Sequence, residues 1–233
     1  MEKALGMLLR EPVRLTGAGR TDSGVHALHY MAHFDTSQDD LDKDDALIGK
    51  LNAITPREIA VYRMIAVPPD AHARFDAVSR TYCYCIATEK NPFTIDLAYH
   101  YYRPLDMVKM NEAAAILPEY NDFTSFSKLH GNAATNLCEI LNAQWTDQYS
   151  GELRFEITAN RFLRNMVRAI VGTMMDIGLG KYPPENIREI ILKRDRAAAG
   201  TSAPPQGLYL VKIEYPVNLF YNSYCWQQFQ YCI

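Results

Sequence analysis

The succession of strand and helix patterns along this chain agrees with an α+β fold. Helical periodicity marks Glu2 to Arg10, Asp44 to Ile54, Met107 to Leu117 and Leu163 to Met174. Strand-like runs stand at Leu28 to Phe34, Ile59 to Val67 and Val78 to Ala87, and Cys138 to Trp145 with Leu153 to Ala159 reads as a hairpin through Tyr149-Ser150-Gly151. The length of 233 residues, 48% hydrophobic and 22% charged, suits one large domain or two small ones of ordinary globular composition.

Taken in order, the first helix carries Ala4, Leu5, Leu8 and Leu9 on one side; it begins without a cap and would fray unless packed. Val13 to Leu15 leads into a glycine-rich loop. In the second helix Leu47, Leu51 and Ile54 are expected inward, and Pro56 stops it. Pro68-Pro69 breaks the β-rich run before it. Val78 to Ala87 alternates: Arg80, Tyr82, Tyr84 and Ile86 share one face, Thr81, Cys83, Cys85 and Ala87 the other, and Tyr84 is expected in the core. Asp106 can cap the next helix, with Met110, Ala114 and Leu117 on its inner side and Pro118 at its end. The run Leu163, Met166, Val167, Ile170, Val171, Met174 makes an amphipathic helix closed by Gly178. Pro184 to Lys193 is a short helix with proline first, and a closing strand follows Gly207. The chain divides into an N-terminal half, 1–75, a C-terminal half, 76–216, and a tail, 217–233, whose six aromatics and two cysteines show no period.

The net charge of −3 does not advertise a nucleic-acid binder, but it hides an asymmetry. Asp39 to Asp45 holds five acids and one lysine, whereas Arg154 to Arg196 holds nine basic residues against five acidic ones. Phosphate contacts follow local positive surface rather than net charge, although an ordinary solvated face also fits such a run. No apolar stretch approaches the roughly 20 residues of a membrane span. The start has no apolar signal core, so a cytoplasmic location is expected. Five cysteines without a Cys-x-x-Cys read as reduced thiols rather than a disulfide framework or zinc site.

The chemistry concentrates in Thr16 to Ala27. Gly17, Gly19 and Gly24 leave this backbone free to adopt positive φ and to let a ligand approach. Among them stand Arg20, Thr21, Asp22 and Ser23. The spacing is neither a dinucleotide fingerprint nor a P-loop. Asp22 reads either as a functional carboxylate or as a turn-stabilising Asx residue. His26, His29 and His33 suggest a metal, but residues three apart on a strand point to opposite faces and no carboxylate or thiol cluster completes a set, so no metal is expected. Arg161, Arg164 and Arg168 lie near the start of the helix that follows Asn160. The positive end of a helix disfavours cations, so three arginines there suggest an anionic partner. The polar loop Ser127 to Thr135 is a candidate mobile element.

Gly19 to Ala27 reads Gly-Arg-Thr-Asp-Ser-Gly-Val-His-Ala, and this segment closely resembles the TruA family of tRNA pseudouridine synthases. Further matches follow in family order: Ala71 to Asp76, Arg80-Thr81-Tyr82, Asp122-Phe123-Thr124-Ser125-Phe126, Phe162 to Arg168, and Ala203 to Pro216. The resemblance implies an α+β pseudouridine synthase fold, two similar halves sharing a mixed, mostly antiparallel sheet with an active-site cleft between them. It implies isomerisation of uridine to pseudouridine without cofactor or metal. Asp22 would be the nucleophile, Arg168 its ion-pair partner, Tyr82 the ring against the target uracil, and Arg20 the side chain that fills the vacated stack. Arg161 and Arg164 are candidate RNA contacts. A carboxylate acts as nucleophile or base only when ionised, and a guanidinium beside it favours that form. The implied partners are tRNA, through the 3′ side of its anticodon stem-loop, and a second copy in a homodimer. Family members normally begin with a strand and a Tyr-x-Gly…Gly-Trp-Gln segment that this sequence lacks. A non-catalytic RNA-binding relative is therefore an alternative, and a nucleoside hydrolase using Asp22 and Tyr82 a more distant one.

Overall fold

A computed structural model describes residues 1–128, 135–148 and 151–220. The candidate mobile loop falls largely outside these residues, as do the hairpin tip and the tail with Cys225 and Cys232. In chain order the elements are α1 (Glu2–Leu9), β1 (Thr16–Gly17), β2 (His26–Ala27), β3 (Ala32–His33), α2 (Asp45–Ile54), β4 (Ser79–Ala87), β5 (Tyr99–His100), α3 (Met107–Ile116), β6 (Ile140–Gln148), β7 (Glu152–Ala159), α4 (Met166–Gly178), α5 (Asn186–Lys193) and β8 (Leu208–Glu214). They form two compact units. One holds residues 1–19, 31–76 and 215–220; the other holds Arg20–Tyr30 and Ala77–Glu214. The segment with Asp22 is grouped with residues 77–214.

In the smaller unit, α1 and α2 bury Leu5, Leu9, Leu47 and Leu51 together with Val13. That packing answers the missing cap on α1, and Glu2 adds to it by accepting the Leu15 N–H at 2.9 Å. Asp44 caps α2 by accepting the Leu47 N–H at 3.1 Å. β1 and β3 form a short antiparallel ladder.

The larger unit is built on a six-stranded mixed sheet in the order β2-β8-β4-β7-β6, with β5 also paired to β4. The pairs β2/β8 and β4/β5 are parallel and the others antiparallel. β4 is paired on both sides, to β7 along Arg80 to Ala87 and to β8 along Ser79 to Tyr84, with a register shift at Thr81/Tyr82. The core sets Tyr84, Ile86, Phe155 and Ile157 from the sheet with Met110 of α3 and Met166, Ile170 and Met174 of α4, all fully buried. Each such burial contributes about 1.5–3 kcal/mol. Trp145 stacks on Phe155 at 4.9 Å, and its indole N–H donates to the Met174 sulfur at 3.1 Å. This contact ties α4 to the sheet. Asp106 caps α3 through the Val108 and Lys109 N–H groups. Phe123 and Phe126 are buried packing residues, and Cys83, Cys85 and Cys138 are free thiols.

Several local expectations need correction. The run Leu28 to Phe34 is not one strand: His26–Ala27 joins β8, Ala32–His33 joins β1, and the residues between belong to neither ladder. After Ala27 the Leu28 and His29 N–H groups both turn to the Leu210 carbonyl, which ends the pairing with β8. Ile59 to Val67 forms no strand. The Asn52 side chain satisfies Val61 on both its N–H and C=O, so this backbone takes its hydrogen bonds without a ladder. Ile54 is exposed rather than inward. α4 starts at Met166, so Arg161 and Arg164 precede it and only Arg168 sits in its first turn. α5 begins at Asn186, two residues after Pro184. Of the three loop glycines only Gly24 takes a positive φ, at 81°.

Gly172, in the middle of α4, faces the segment that follows α5. A Cβ there would fall on the Thr201 carbonyl oxygen, well inside contact distance. Gly172→Ala should therefore destabilise the protein by about 3 kcal/mol, the upper end for overpacking. Thermal denaturation would register this as a fall of roughly 6–12 °C. Gly49→Ala, on an exposed position of α2 with open space around it, should instead stabilise its helix by about 1 kcal/mol.

Candidate active site

The Asp22 carboxylate is presented by a tight turn. The Asp22 C=O accepts the Val25 N–H at 3.2 Å, and Gly24 supplies the left-handed residue the turn requires. Glycine is needed there for space as well, since a Cβ would sit 3.1 Å from the Pro205 ring. The turn runs straight into β2, whose parallel register with β8 places His26 beside Tyr209 and Ala27 beside Leu210. The loop is thus fixed at its far end by the sheet and at its tip by Pro205. The Asx alternative is not realised, because the carboxylate turns to two arginines instead.

The first arginine is Arg168, in the opening turn of α4. Its Nη1 donates to Asp22 Oδ2 at 3.1 Å and its Nε donates to the Ala203 carbonyl at 2.7 Å. Its own carbonyl accepts the Ala203 N–H at 2.9 Å, so residues 168 and 203 are joined twice. The side chains of Arg168 and Asp22 are 18% and 26% exposed. A cation in the first turn of a helix is unfavourable by itself. Asp22 supplies the negative charge that offsets it, at a helix end where Asn165 makes no side-chain cap. Asn165 takes the left-handed conformation (φ 67°) and donates its side-chain amide to Ser202 at 2.6 Å. Residues 202–205 therefore brace the site. Ser202 holds the start of α4, Ala203 holds Arg168, the Pro204 carbonyl accepts the Tyr84 hydroxyl at 2.8 Å, and Pro205 backs Gly24.

The second arginine is Arg164. Its Nε lies 3.5 Å from Asp22 Oδ1, and its side chain is 63% exposed. Tyr82, on β4, is half-buried, and its ring meets Phe162 edge-on at 5.0 Å. Burial pushes the Tyr82 phenol up to about 12. The Arg80 guanidinium opposes that shift, whereas Tyr30 and the Asp22 charge add to it. Asp22 and Tyr82 therefore lie within electrostatic reach of one another.

The structure thus brings Asp22, Arg164, Arg168 and Tyr82 together. Arg161 is directed elsewhere, donating to Thr135 Oγ1 at 3.3 Å. Arg20 is exposed, and among the described residues only Arg164 and Arg168 pair with Asp22. The histidines are engaged separately: His26 stacks on Tyr209 and contacts the Asp96 carbonyl, His29 accepts from Ile213 N–H, and His33 accepts from Ala73 N–H. Among the described residues no three His, Cys, Asp or Glu side chains form a metal-binding group, and no helix is long and apolar enough to cross a membrane. Two features escaped the sequence. The Ala203 carbonyl leaves no side-chain signal, and Tyr30 sits in a run that looked like uniform strand.

Residues 119–216 match the model of a family described as tRNA pseudouridine synthase. Among curated proteins, tRNA pseudouridine synthase A of Bacteroides fragilis is 51% identical over 218 residues, 94% of this chain and 86% of that protein. Its counterpart in Porphyromonas gingivalis is 51% identical over 94% of this chain and 88% of its own length. The one from Enterobacter sp. is 38% identical over 93% and 80%. With identity of this extent laid over a loop carboxylate paired with Arg168 of α4 and with Arg164 just ahead of it, the chain belongs to the tRNA pseudouridine synthase family.

Proposed function

We propose that this chain isomerises uridine to pseudouridine in tRNA, with Asp22 as the catalytic carboxylate. The observation that carries the reading is the pair Asp22–Arg168, 3.1 Å apart and largely shielded from solvent. In the reaction the uracil–ribose bond breaks, the base turns, and it rejoins the ribose through carbon. The atoms of substrate and product are the same, and one ionised carboxylate acting as nucleophile or base is the group the chemistry asks of the protein. Arg168 aims that carboxylate through a planar guanidinium that lysine does not reproduce. Tyr82 offers an aromatic surface to the extruded base, and Arg20 fills the space the base leaves. Extrusion costs a few kcal/mol, which contacts to the tRNA must offset. Arg161 and Arg164 belong to those contacts in this reading. The anticodon stem-loop as target, a homodimer that carries the tRNA across both subunits, and a cytoplasmic location complete the proposal and rest on the family resemblance. Nothing in the geometry or the comparisons favours a non-catalytic relative.

Asp22→Asn should abolish tritium release from uracil-labelled tRNA while the protein still binds that tRNA. Turnover approaching wild type would reject the assignment. Arg168→Lys should lower turnover at saturating tRNA by about 10- to 100-fold, the worth of a hydrogen bond to a charged group, with a smaller change in affinity.

Tyr82→Ala should cost about 1–3 kcal/mol in kcat/KM through lost stacking. Tyr82→Phe should retain most activity. The phenol stays neutral up to about 12, so wild type and Tyr82→Phe should share one pH–rate profile between roughly pH 6 and 10. The linkage runs the same way. An acid whose folded pKa is raised adds stability below its unfolded value near 10 and loses it as pH climbs towards about 12. Tyr82→Phe should therefore soften alkaline unfolding, as followed by circular dichroism.

A further inference from the structure

The two guanidiniums on Asp22 are not equivalent. Arg168 is built in: partly buried, its Nε committed to the Ala203 carbonyl and its Nη1 to Oδ2. Arg164 is 63% exposed, and its approach to Oδ1, at 3.5 Å, is longer than a good charge-assisted hydrogen bond. The backbone beneath Arg164 is nevertheless fixed. Leu163 is buried and its carbonyl accepts the Met166 N–H at 3.1 Å, the Arg164 carbonyl accepts the Lys128 N–H at 3.0 Å, and Asn165 is held on Ser202. Only the side chain is left to swing.

We infer that Arg164 is a guard released by substrate: it covers Asp22 Oδ1 in the RNA-free enzyme and transfers to a phosphate flanking the target nucleotide when tRNA binds, freeing Oδ1 for the reaction. This rests on the proposed reaction at Asp22. Oδ2 is committed to Arg168, so Oδ1 is the oxygen left to act. A guanidinium at an exposed ion pair gains little from its carboxylate, whereas a phosphate offers several oxygens in a geometry that suits its fork. The carboxylate of a nucleotide-modifying site also repels a polyanion. With Arg164 on Oδ1 that charge is masked during encounter, and it is unmasked when a phosphate draws the guanidinium away. A free nucleoside carries no phosphate and leaves the guard in place, so the arrangement selects for polynucleotide substrate.

The test is a double-mutant cycle on the full chain: wild type, Asp22→Asn, Arg164→Gln and the double variant, each titrated with tRNA by fluorescence anisotropy across a salt series. Asp22→Asn releases Arg164 in advance. It should tighten tRNA binding by a factor about two- to fivefold larger when Arg164 is present than in the Arg164→Gln background. Arg164→Gln should also flatten the slope of log affinity against log salt by roughly 0.7–0.9, the loss of one phosphate contact, and Arg164→Lys should restore that slope. Equal tightening in both backgrounds, or an unchanged slope, overturns the inference. The underlying reading fails separately, if the wild-type protein releases no tritium from uracil-labelled tRNA.

Discussion

The Arg168 side chain, held between a backbone carbonyl and a carboxylate, is the constraint on which the site depends. Nε on Ala203 fixes where the guanidinium plane lies, and Nη1 on Asp22 fixes where the loop ends. Neither contact is large alone. Their value comes from the rigid parts they join: an α4 locked to the sheet through Trp145 and Met174, a β2 held in register by β8, and a 201–205 segment whose Thr201 carbonyl lies so close to α4 that position 172 has no room for a Cβ. A carboxylate on a free loop would sample many positions. Here it has one, because each neighbour of Arg168 is itself braced.

Charge balance at the start of α4 follows from the same contact. The chain places Arg164 and Arg168 where a helix end is already positive, and it leaves Asn165 without a side-chain cap. A helix so begun is destabilised until a negative group arrives. Asp22 provides it across 146 residues of sequence. What looks like poor helix design, taken locally, is a site waiting for an anion. That is why local rules were informative where they failed.

Much of this was legible in the residues. The amphipathic pattern of α4, the alternation of β4, the cap at Asp106 and the buried Phe123 and Phe126 follow from periodicity and capping alone. Asp22, Arg168 and Tyr82 were found together because their motifs resemble one family's in order. The misses share a cause. Leu28 to Phe34 and Ile59 to Val67 are β-rich by composition, but a strand exists only where a partner lies alongside, and pairing is decided by residues far away. The apolar period extends back to Leu163, ahead of the start of α4, because the left-handed Asn165 that interrupts the backbone has no hydrophobic signature. The brace at 202–205 acts largely through carbonyls and proline rings, and so leaves no pattern of charges or apolar spacing. Arg164 was visible only as one of three basic residues, and its place on Oδ1 required coordinates.

The parallel pairing of β2 with β8 has a consequence for how the protein is made. The loop around Asp22 leaves the ribosome well before the strand it docks on, because β8 lies far downstream in the chain. At about 5–20 residues per second, the 146 residues separating Asp22 from Arg168 take about 7–30 seconds to synthesise. During that interval the nascent loop has no native strand or guanidinium to meet. The native surroundings of Asp22 are thus completed only once β8 has been made, and a chain cut short before β8 would carry the motif without the strand that holds it in register.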